Sequence, residues 1–284
     1  TADTDKLGDA HRGEMIYRRP ALACTGCHAV GSAGSTIGPN LVAVGAAATT
    51  NYMIESILNP NAAIAEHYEN RLFTLVGGSV QMGVITFKSE KEVIVIDSAQ
   101  GGKEITIPAE NILKEQAMPS LMPAGLADQL KSRSEFLDLA KFLSVLGKSG
   151  DFSYDESPVI RKWRVMAAPK GKSLPADDAA WMPAYSMVDG VLPSEDLELG
   201  RRVLVRGWVE VQVPGQVELM LNDAKGLRLF VDGKQVKDIA AAIDLKKGRH
   251  EVTFSIDRKA RPEGLRVQLK AADEQVRFMP EGGI

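Results

Sequence analysis

The sequence has only two cysteines and four histidines among its 284 residues. Cys24 and Cys27 are the two cysteines, so no other thiol competes to pair with either of them. A structural zinc site needs four ligands, and beyond the cysteine pair and the histidine next to it only His11, His67 and His250 are left. The scarcity of these side chains therefore argues against a zinc site.

Long apolar runs and a strong net charge are also missing. No run of ~18 apolar residues occurs, so we expect no membrane span. A net charge of -3 and a pI near 5.9 argue against nucleic-acid binding. The chain is 44% hydrophobic and 25% charged, as is typical of a globular protein, and its length predicts one large or two ordinary domains.

The two cysteines have an informative spacing. Residues 24–28 read Cys-Thr-Gly-Cys-His, and Cys-x-x-Cys-His is the attachment signature of a c-type haem. Each thiol adds to one haem vinyl group, so both must reach one porphyrin edge from a single helical turn, and His28 then lies below the iron as proximal ligand. The alternatives are a redox disulfide, which gives His28 no role, and a zinc site. We expect one covalent haem c.

Covalent haem attachment takes place outside the bacterial cytoplasm, so the motif predicts a periplasmic or cell-surface protein. The sequence starts at Thr1 rather than at Met. This is expected of a processed secretory protein whose signal peptide is gone, although a trimmed chain would start in the same way.

The pattern of apolar residues predicts a helical first domain that a sheet interrupts. Helices are expected over 8–20 and 50–58, and a third begins with Ser134 as N-cap and ends near Gly147. Between the second and third helices lie four strand patterns, which predict a small inserted β-barrel or curled sheet: 72–76, 80–87, 92–97 and 104–107. The predicted first domain is 8–147, with the inserted β region at 66–115.

The second half of the chain predicts a β-sandwich. Residues 148–157 are expected to be a linker, and 158–284 the second domain. Many short strand patterns separated by Gly and Asp turns indicate this architecture: 163–166, 203–213, 217–221, 227–231, 252–256 and 265–269.

An electron-carrying haem needs a second axial ligand, and a thioether opposite His raises the reduction potential. Met118-Pro119 and Met122-Pro123 lie in a loop before the last helix, where the proline fixes the backbone. We favour Met122, with Met118 as the alternative ligand. Ligation by His11 or His67 is possible but fits the expected positions less well.

These motifs together resemble a class I cytochrome c, and more narrowly the Planctomycete/Verrucomicrobium-type haem-binding domain. The resemblance covers about residues 8–147. It rests on Gly13-x-x-x-Tyr17, the 24–28 motif, Ile-Gly-Pro-Asn-Leu at 37–41, Glu-Ser-Ile-Leu-Asn-Pro-Asn at 55–61, Ser-Leu-Met-Pro-Ala-Gly-Leu at 120–126, and Asp-Leu-Ala-Lys-Phe-Leu at 138–143. It implies an all-α class I cytochrome c fold with the inserted small β-barrel, followed by an all-β sandwich.

The resemblance also implies roles for individual residues. The Pro39 carbonyl would accept a hydrogen bond from His28, Leu41 would pack on the haem, and Met122 would be the distal ligand. Tyr52 and Asn59 are candidates for contacts with the haem propionates, with ordinary packing and helix capping as the alternative. Gly13 and Phe142 would mark the crossing of the first and last helices. The residues expected around the cofactor are Cys24, Cys27, His28, Pro39, Leu41, Tyr52, Asn59 and Met122.

The second domain resembles the protective-antigen-type, lectin-like β-sandwich, through Gly-Leu-Arg-Leu-Phe-Val-Asp-Gly-Lys at 226–234 and the Leu-x-x-Gly-x-His pattern that ends at His250. Some members of that family bind glycans through paired acidic residues and calcium. Here Asn222-Asp223 stands without an adjacent Asp pair, which puts calcium and sugar binding in doubt. His250 has no obvious partner and is expected to be structural.

We therefore expect an electron carrier rather than an enzyme. Its partner would be a dehydrogenase or another cytochrome, and the sandwich would dock a protein, the cell envelope or a glycan. One alternative is a haem-based peroxidase or gas sensor with an open distal site. The other is a glycan-binding module with a redox appendage.

Overall fold

A computed structural model describes residues 1–169 and 181–281. The chain divides into two compact units, one of Thr1–Val30 with Gly34–Ser149 and one of Gly31–Ala33 with Gly150–Ile284. The main division, between Ser149 and Gly150, lies within the predicted linker 148–157.

The expectation of an all-α cytochrome c fold is wrong. The structure is mostly β-sheet, with 37% of residues in strands and 23% in helices. The physical reason lies in the first unit, where most helices are short and the long segment between the fifth and sixth helices forms a sheet. The described residues contain six α-helices: α1 (Ala2–Leu7), α2 (Ala10–Tyr17), α3 (Cys24–Cys27), α4 (Val44–Ala47), α5 (Thr50–Leu58) and α6 (Arg133–Val145). None of the helices in these residues is long and apolar enough to cross a membrane.

The helices α2 and α6 cross at a glycine. A Cβ on Gly13 would lie 2.0 Å from the carbonyl oxygen of Asp138 and 2.7 Å from Cβ of Phe142. The rings of Tyr17 and Phe142 are 5.6 Å apart, centroid to centroid. The predicted crossing at Gly13 and Phe142 is confirmed. The cap of α6 differs from the prediction, because Ser132 rather than Ser134 accepts the hydrogen bond, from the Glu135 amide at 3.3 Å.

The inserted segment forms a five-stranded antiparallel sheet in the order β6-β5-β4-β3-β7. Only three residues, Ala109–Asn111, separate β6 from β7, although these strands lie at the two ends of the sheet. The sheet must curl to bring its ends that close, as a small barrel does. The strands up to this point are β1 (Ala29–Val30), β2 (Ala33–Gly34), β3 (Asn70–Leu75), β4 (Val80–Lys88), β5 (Glu92–Asp97), β6 (Lys103–Pro108) and β7 (Ile112–Ala117).

The second unit has two packed sheets, of seven and three strands. In the larger sheet the order is β13-β12-β15-β10-β8-β9, with β17 also paired to β10, and the smaller sheet is β14-β11-β16. Alternate residues of both sheets share one apolar core, as in a sandwich. The strands are β8 (Lys162–Ala167), β9 (Met182–Tyr185), β10 (Arg202–Val213), β11 (Gly215–Leu221), β12 (Leu227–Val231), β13 (Lys234–Val236), β14 (Ile243–Leu245), β15 (Gly248–Asp257), β16 (Val267–Ala271) and β17 (Arg277–Pro280).

Candidate haem site

The two cysteines lie on one isolated helical turn. A 3-10 helix, Pro20–Leu22, ends at Ala23, whose φ of 52° turns the chain into α3. The amide of His28 then donates to the carbonyl of Cys24 at 2.8 Å, which closes the turn. Cys24 and Cys27 are half-buried and form no disulfide with each other. One turn thus presents two thiols followed by an imidazole.

Burial sets the protonation of both thiols. Burial raises the pKa of Cys24 to about 11 and also raises the pKa of Cys27. Thiol–disulfide exchange depends on a thiolate, and redox-active Cys-x-x-Cys pairs have a lowered pKa. The raised values therefore disfavour the redox-disulfide alternative.

The imidazole of His28 is oriented by one backbone carbonyl. His28 Nδ1 lies 2.8 Å from the carbonyl oxygen of Pro39, so the predicted hydrogen bond is confirmed. Burial lowers the pKa of His28 although this hydrogen bond opposes the effect. A neutral ring that donates from Nδ1 carries its lone pair on Nε2, and a ring held in this way is the form that binds metals.

The loop after the motif wraps closely around His28. Tyr17 Oη donates to the His28 carbonyl at 3.0 Å, and the Gly38 amide donates to the Cys27 carbonyl at 2.7 Å. A Cβ on Gly38 would lie 2.8 Å from His28 Cε1, so this position fits glycine alone. Leu41 is half-buried, and its amide donates to the carbonyl of Ala29 at 2.7 Å.

Sequence reasoning missed the contacts of Tyr17 and Gly38 with His28. The available signals were the Gly-x-x-x-Tyr and Gly-Pro patterns, which do not say what the side chains touch.

The two candidate methionines lie in a loop that is held by hydrogen bonds to two asparagines, one of them on β3. The backbone carbonyl of Asn70 accepts a hydrogen bond from the Met118 amide at 3.0 Å, and Asn70 Nδ2 donates one to the Pro119 carbonyl at 3.1 Å. Asn61 Oδ1 accepts from the Ser120 amide at 2.9 Å. Sequence reasoning missed both asparagines, because Asn70 and Asn61 lie 49 and 59 residues before their partners in the loop.

The same loop returns beside the cysteine turn. The 3-10 helix Leu126–Gln129, which follows Met122 closely, contacts both α5 and the 3-10 helix Pro20–Leu22 that precedes Cys24. Met118 and Met122 are both half-buried. Their assignment as distal ligands stays a prediction, with Met122 favoured.

The remaining candidates lie at exposed positions. Tyr52 is exposed on α5, and Asn59 caps the end of that helix, with its amide donating to the Glu55 carbonyl at 2.7 Å. Helix capping accounts for Asn59, and contacts of either residue with haem propionates stay a prediction. His67 is exposed and lies beside Glu66, with 3.8 Å between ring nitrogen and carboxylate oxygen. Within residues 1–169 and 181–281, no three His, Cys, Asp or Glu side chains group as metal ligands.

In the sandwich, an arginine lies against Asn222 and Asp223, the residues at which calcium binding would be expected from the family resemblance. The guanidinium of Arg261 is fully buried and donates to the Asp223 carbonyl at 2.5 Å. It also donates to Asn222 Oδ1 and to the Gly264 carbonyl, both at 2.7 Å. These oxygens already surround a cation of the chain itself, which strengthens the doubt about calcium and sugar binding here.

His250, expected to lack a partner, has two. Its Nδ1 lies 2.7 Å from Asp232 Oδ2, and its Nε2 lies 2.8 Å from the Lys246 carbonyl oxygen. Both partners are acceptors, so the arrangement suits the protonated ring and ties two turns together.

No protein-family model matches the chain, and no curated protein matches it.

Proposed function

We propose that this chain is a periplasmic or cell-surface mono-haem c-type electron carrier, with one haem c attached to Cys24 and Cys27. The observation that carries the proposal is the position of His28. It directly follows the turn that presents both thiols, and Pro39 orients its ring in the neutral form that ligates iron. We also infer kinship with the Planctomycete/Verrucomicrobium-type haem-binding domain, on the motifs given above.

Four residues of the chain would hold the cofactor. Cys24 and Cys27 would supply the two thioethers, and His28 Nε2 would be the nitrogen ligand of the iron. Met122 would supply the sulfur ligand, with Met118 as the alternative. Haem held by these residues would supply one-electron redox chemistry between a donor and an acceptor.

If His28 and Met122 both bind the iron, no position on it would be left for a substrate, which favours a carrier over an enzyme. Its partners would be a dehydrogenase and a downstream acceptor such as another cytochrome, each docked through a small transient interface. The lectin-like sandwich would localise the carrier by binding a partner protein or a glycan.

Visible spectroscopy of the purified haem protein tests the ligand set. The ferric protein should show the weak red-edge sulfur-to-iron charge-transfer band of Met/His ligation, and Met122→Ala should abolish it while Met118→Ala keeps it. If only Met118→Ala abolishes the band, Met118 rather than Met122 is the ligand. A high-spin wild-type spectrum with rapid carbon monoxide binding would contradict the carrier and favour a gas sensor or peroxidase.

A further inference from the structure

The five-stranded sheet of the first unit has apolar residues on both faces. One face carries the buried cluster Phe73, Val93, Val95 and Ile107. Because side chains alternate along a strand, the residues between these point the other way. An antiparallel sheet with one face on the core is normally polar on its second face, so a second apolar face needs a cover.

The strand register identifies this second face, which we call the outer face. Leu72 of β3 pairs with Met82 of β4, and Val84 of β4 pairs with Ile96 of β5. Val84 is 1% exposed, so other parts of the chain already cover it, whereas Met82 is 37% exposed. The flanking strands place polar residues on the same face: Glu104, Thr106 and Gln116. The outer face is therefore an apolar centre with polar edges.

One side of the outer face adjoins the loop around His28. A Cβ on Gly102 would lie 3.3 Å from Ile37 Cγ1 and 3.9 Å from Ile96 Cγ2, so both side chains lie beside Gly102. Ile37 immediately precedes Gly38, which lies against the His28 ring.

The other side of the outer face adjoins the methionine loop. Asn70 pairs with Val84 in the sheet and holds Met118 and Pro119 through the two hydrogen bonds given above. Its Oδ1 atom is buried and has no hydrogen-bond partner. Segments that carry both proposed iron ligands therefore meet the same sheet face, from opposite sides.

We propose that the open part of the outer face, Leu72, Met82 and Ile96, is an apolar wall against which the haem packs. This rests on the proposed haem attachment. Such a wall would exclude water from the cofactor. Because a ferric haem carries one more positive charge than a ferrous one, apolar surroundings favour the ferrous form. They therefore raise the reduction potential.

Methyl NMR of the wild-type haem protein tests the wall without any variant. Ferric low-spin haem is paramagnetic, so the difference between ferric and ferrous methyl shifts grows steeply as a methyl group approaches the iron. The Leu72, Met82 and Ile96 methyls should show larger differences than the matched core-face methyls of Val93, Val95 and Ile107. Equal or smaller differences on the outer face would overturn the wall.

A potential measurement gives an independent test. Leu72→Gln should lower the midpoint potential, whereas Leu113→Gln, at a residue that is 66% exposed on β7, should leave it unchanged. Met82→Leu should keep both the potential and the sulfur-to-iron band. An unchanged potential in Leu72→Gln, or loss of the band in Met82→Leu, would contradict the wall.

The two proposals fail in distinguishable ways. A protein that acquires no covalent haem refutes the proposed function. A protein with haem on both cysteines whose outer-face methyls and potential do not respond refutes the wall alone.

Discussion

The imidazole ring of His28 lies directly against Gly38, where a Cβ would be 2.8 Å from His28 Cε1 and 2.9 Å from Nδ1. Real Cβ atoms do not approach other atoms so closely, so any larger residue must push the ring or the loop. The loop also carries the Pro39 carbonyl that orients the ring. One glycine therefore controls both the position and the hydrogen bond of the proposed proximal ligand.

Gly38→Ala should reduce the haem content of the purified protein and weaken its low-spin spectrum, because the ring can no longer keep its place. Gly26→Ala is the matched control, since a Cβ at Gly26 on the cysteine turn meets nothing within 4 Å. Haem absorbance per protein chain measures both. Equal haem content in the two variants would show that the contact with Gly38 does not position the ligand.

Gly13→Ala should destabilise the first unit. Alanine favours a helix over glycine by about 1 kcal/mol, but a Cβ only 2.0 Å from the Asp138 carbonyl oxygen forces α2 and α6 apart. Overpacking of this kind costs about 1–3 kcal/mol, so the clash should dominate. Urea unfolding measures the loss, with Met15→Ala on the exposed side of α2 as control. A Gly13→Ala protein as stable as the wild type would place the crossing elsewhere.

The ionised Glu135 carboxylate should stabilise the first unit at neutral pH, and this stabilisation should be lost in acid. Two hydrogen bonds from Arg19, at 2.6 and 2.8 Å, together with the Lys131 amide, hold the pKa of Glu135 at about 2 instead of 4.5. A lowered folded-state pKa gives stability that is present above pH 4.5 and is lost as the pH falls toward 2.

Glu135→Gln should therefore be less stable than the wild type at neutral pH, and the difference should shrink as the pH falls through this window. Glu110→Gln, at an exposed position in the same unit, serves as control. Thermal unfolding followed between neutral and acidic pH is the measurement. A difference that stays constant with pH would refute the role of the carboxylate.

His250 should give the sandwich the opposite pH dependence, with stability that is lost as the pH rises. Partial burial favours the neutral ring, but the Asp232 carboxylate and the Lys246 carbonyl outweigh it and raise the pKa of His250 above 6.5. A raised folded-state pKa gives stability that is complete below 6.5 and is lost as the pH rises through the folded value.

NMR titration of the His250 ring should therefore give a midpoint above 6.5, and Asp232→Asn should lower it. Asparagine tolerates the positive φ of 48° at residue 232, so the turn should survive. A wild-type midpoint at or below 6.5 would contradict the two-acceptor arrangement.

The sequence predicted best where chemistry or strict periodicity limits the choices. The spacing of Cys24, Cys27 and His28 is read directly, and the long strands β10 and β15 follow from their β-branched runs. The short strands β9, β13, β14 and β17 have three or four residues each, too few for a period to show.

What the sequence did not predict depends on contacts between distant residues. Nothing local indicates that Asn70 holds the methionine loop or that Arg261 fills the Asn222 corner. The all-α expectation failed because a family likeness in the motifs says little about the share of the chain that a sheet occupies.

Covalent haem attachment is the central claim, and intact-mass spectrometry tests it most directly. The full chain is produced in a bacterium with c-type haem maturation, beside a known c-type cytochrome as control. We predict that the wild-type chain gains the mass of one haem, that Cys24→Ala with Cys27→Ala gains none, and that the haem survives acid extraction. A wild-type chain that leaves the same cells without haem, while the control cytochrome is fully loaded, would contradict the account.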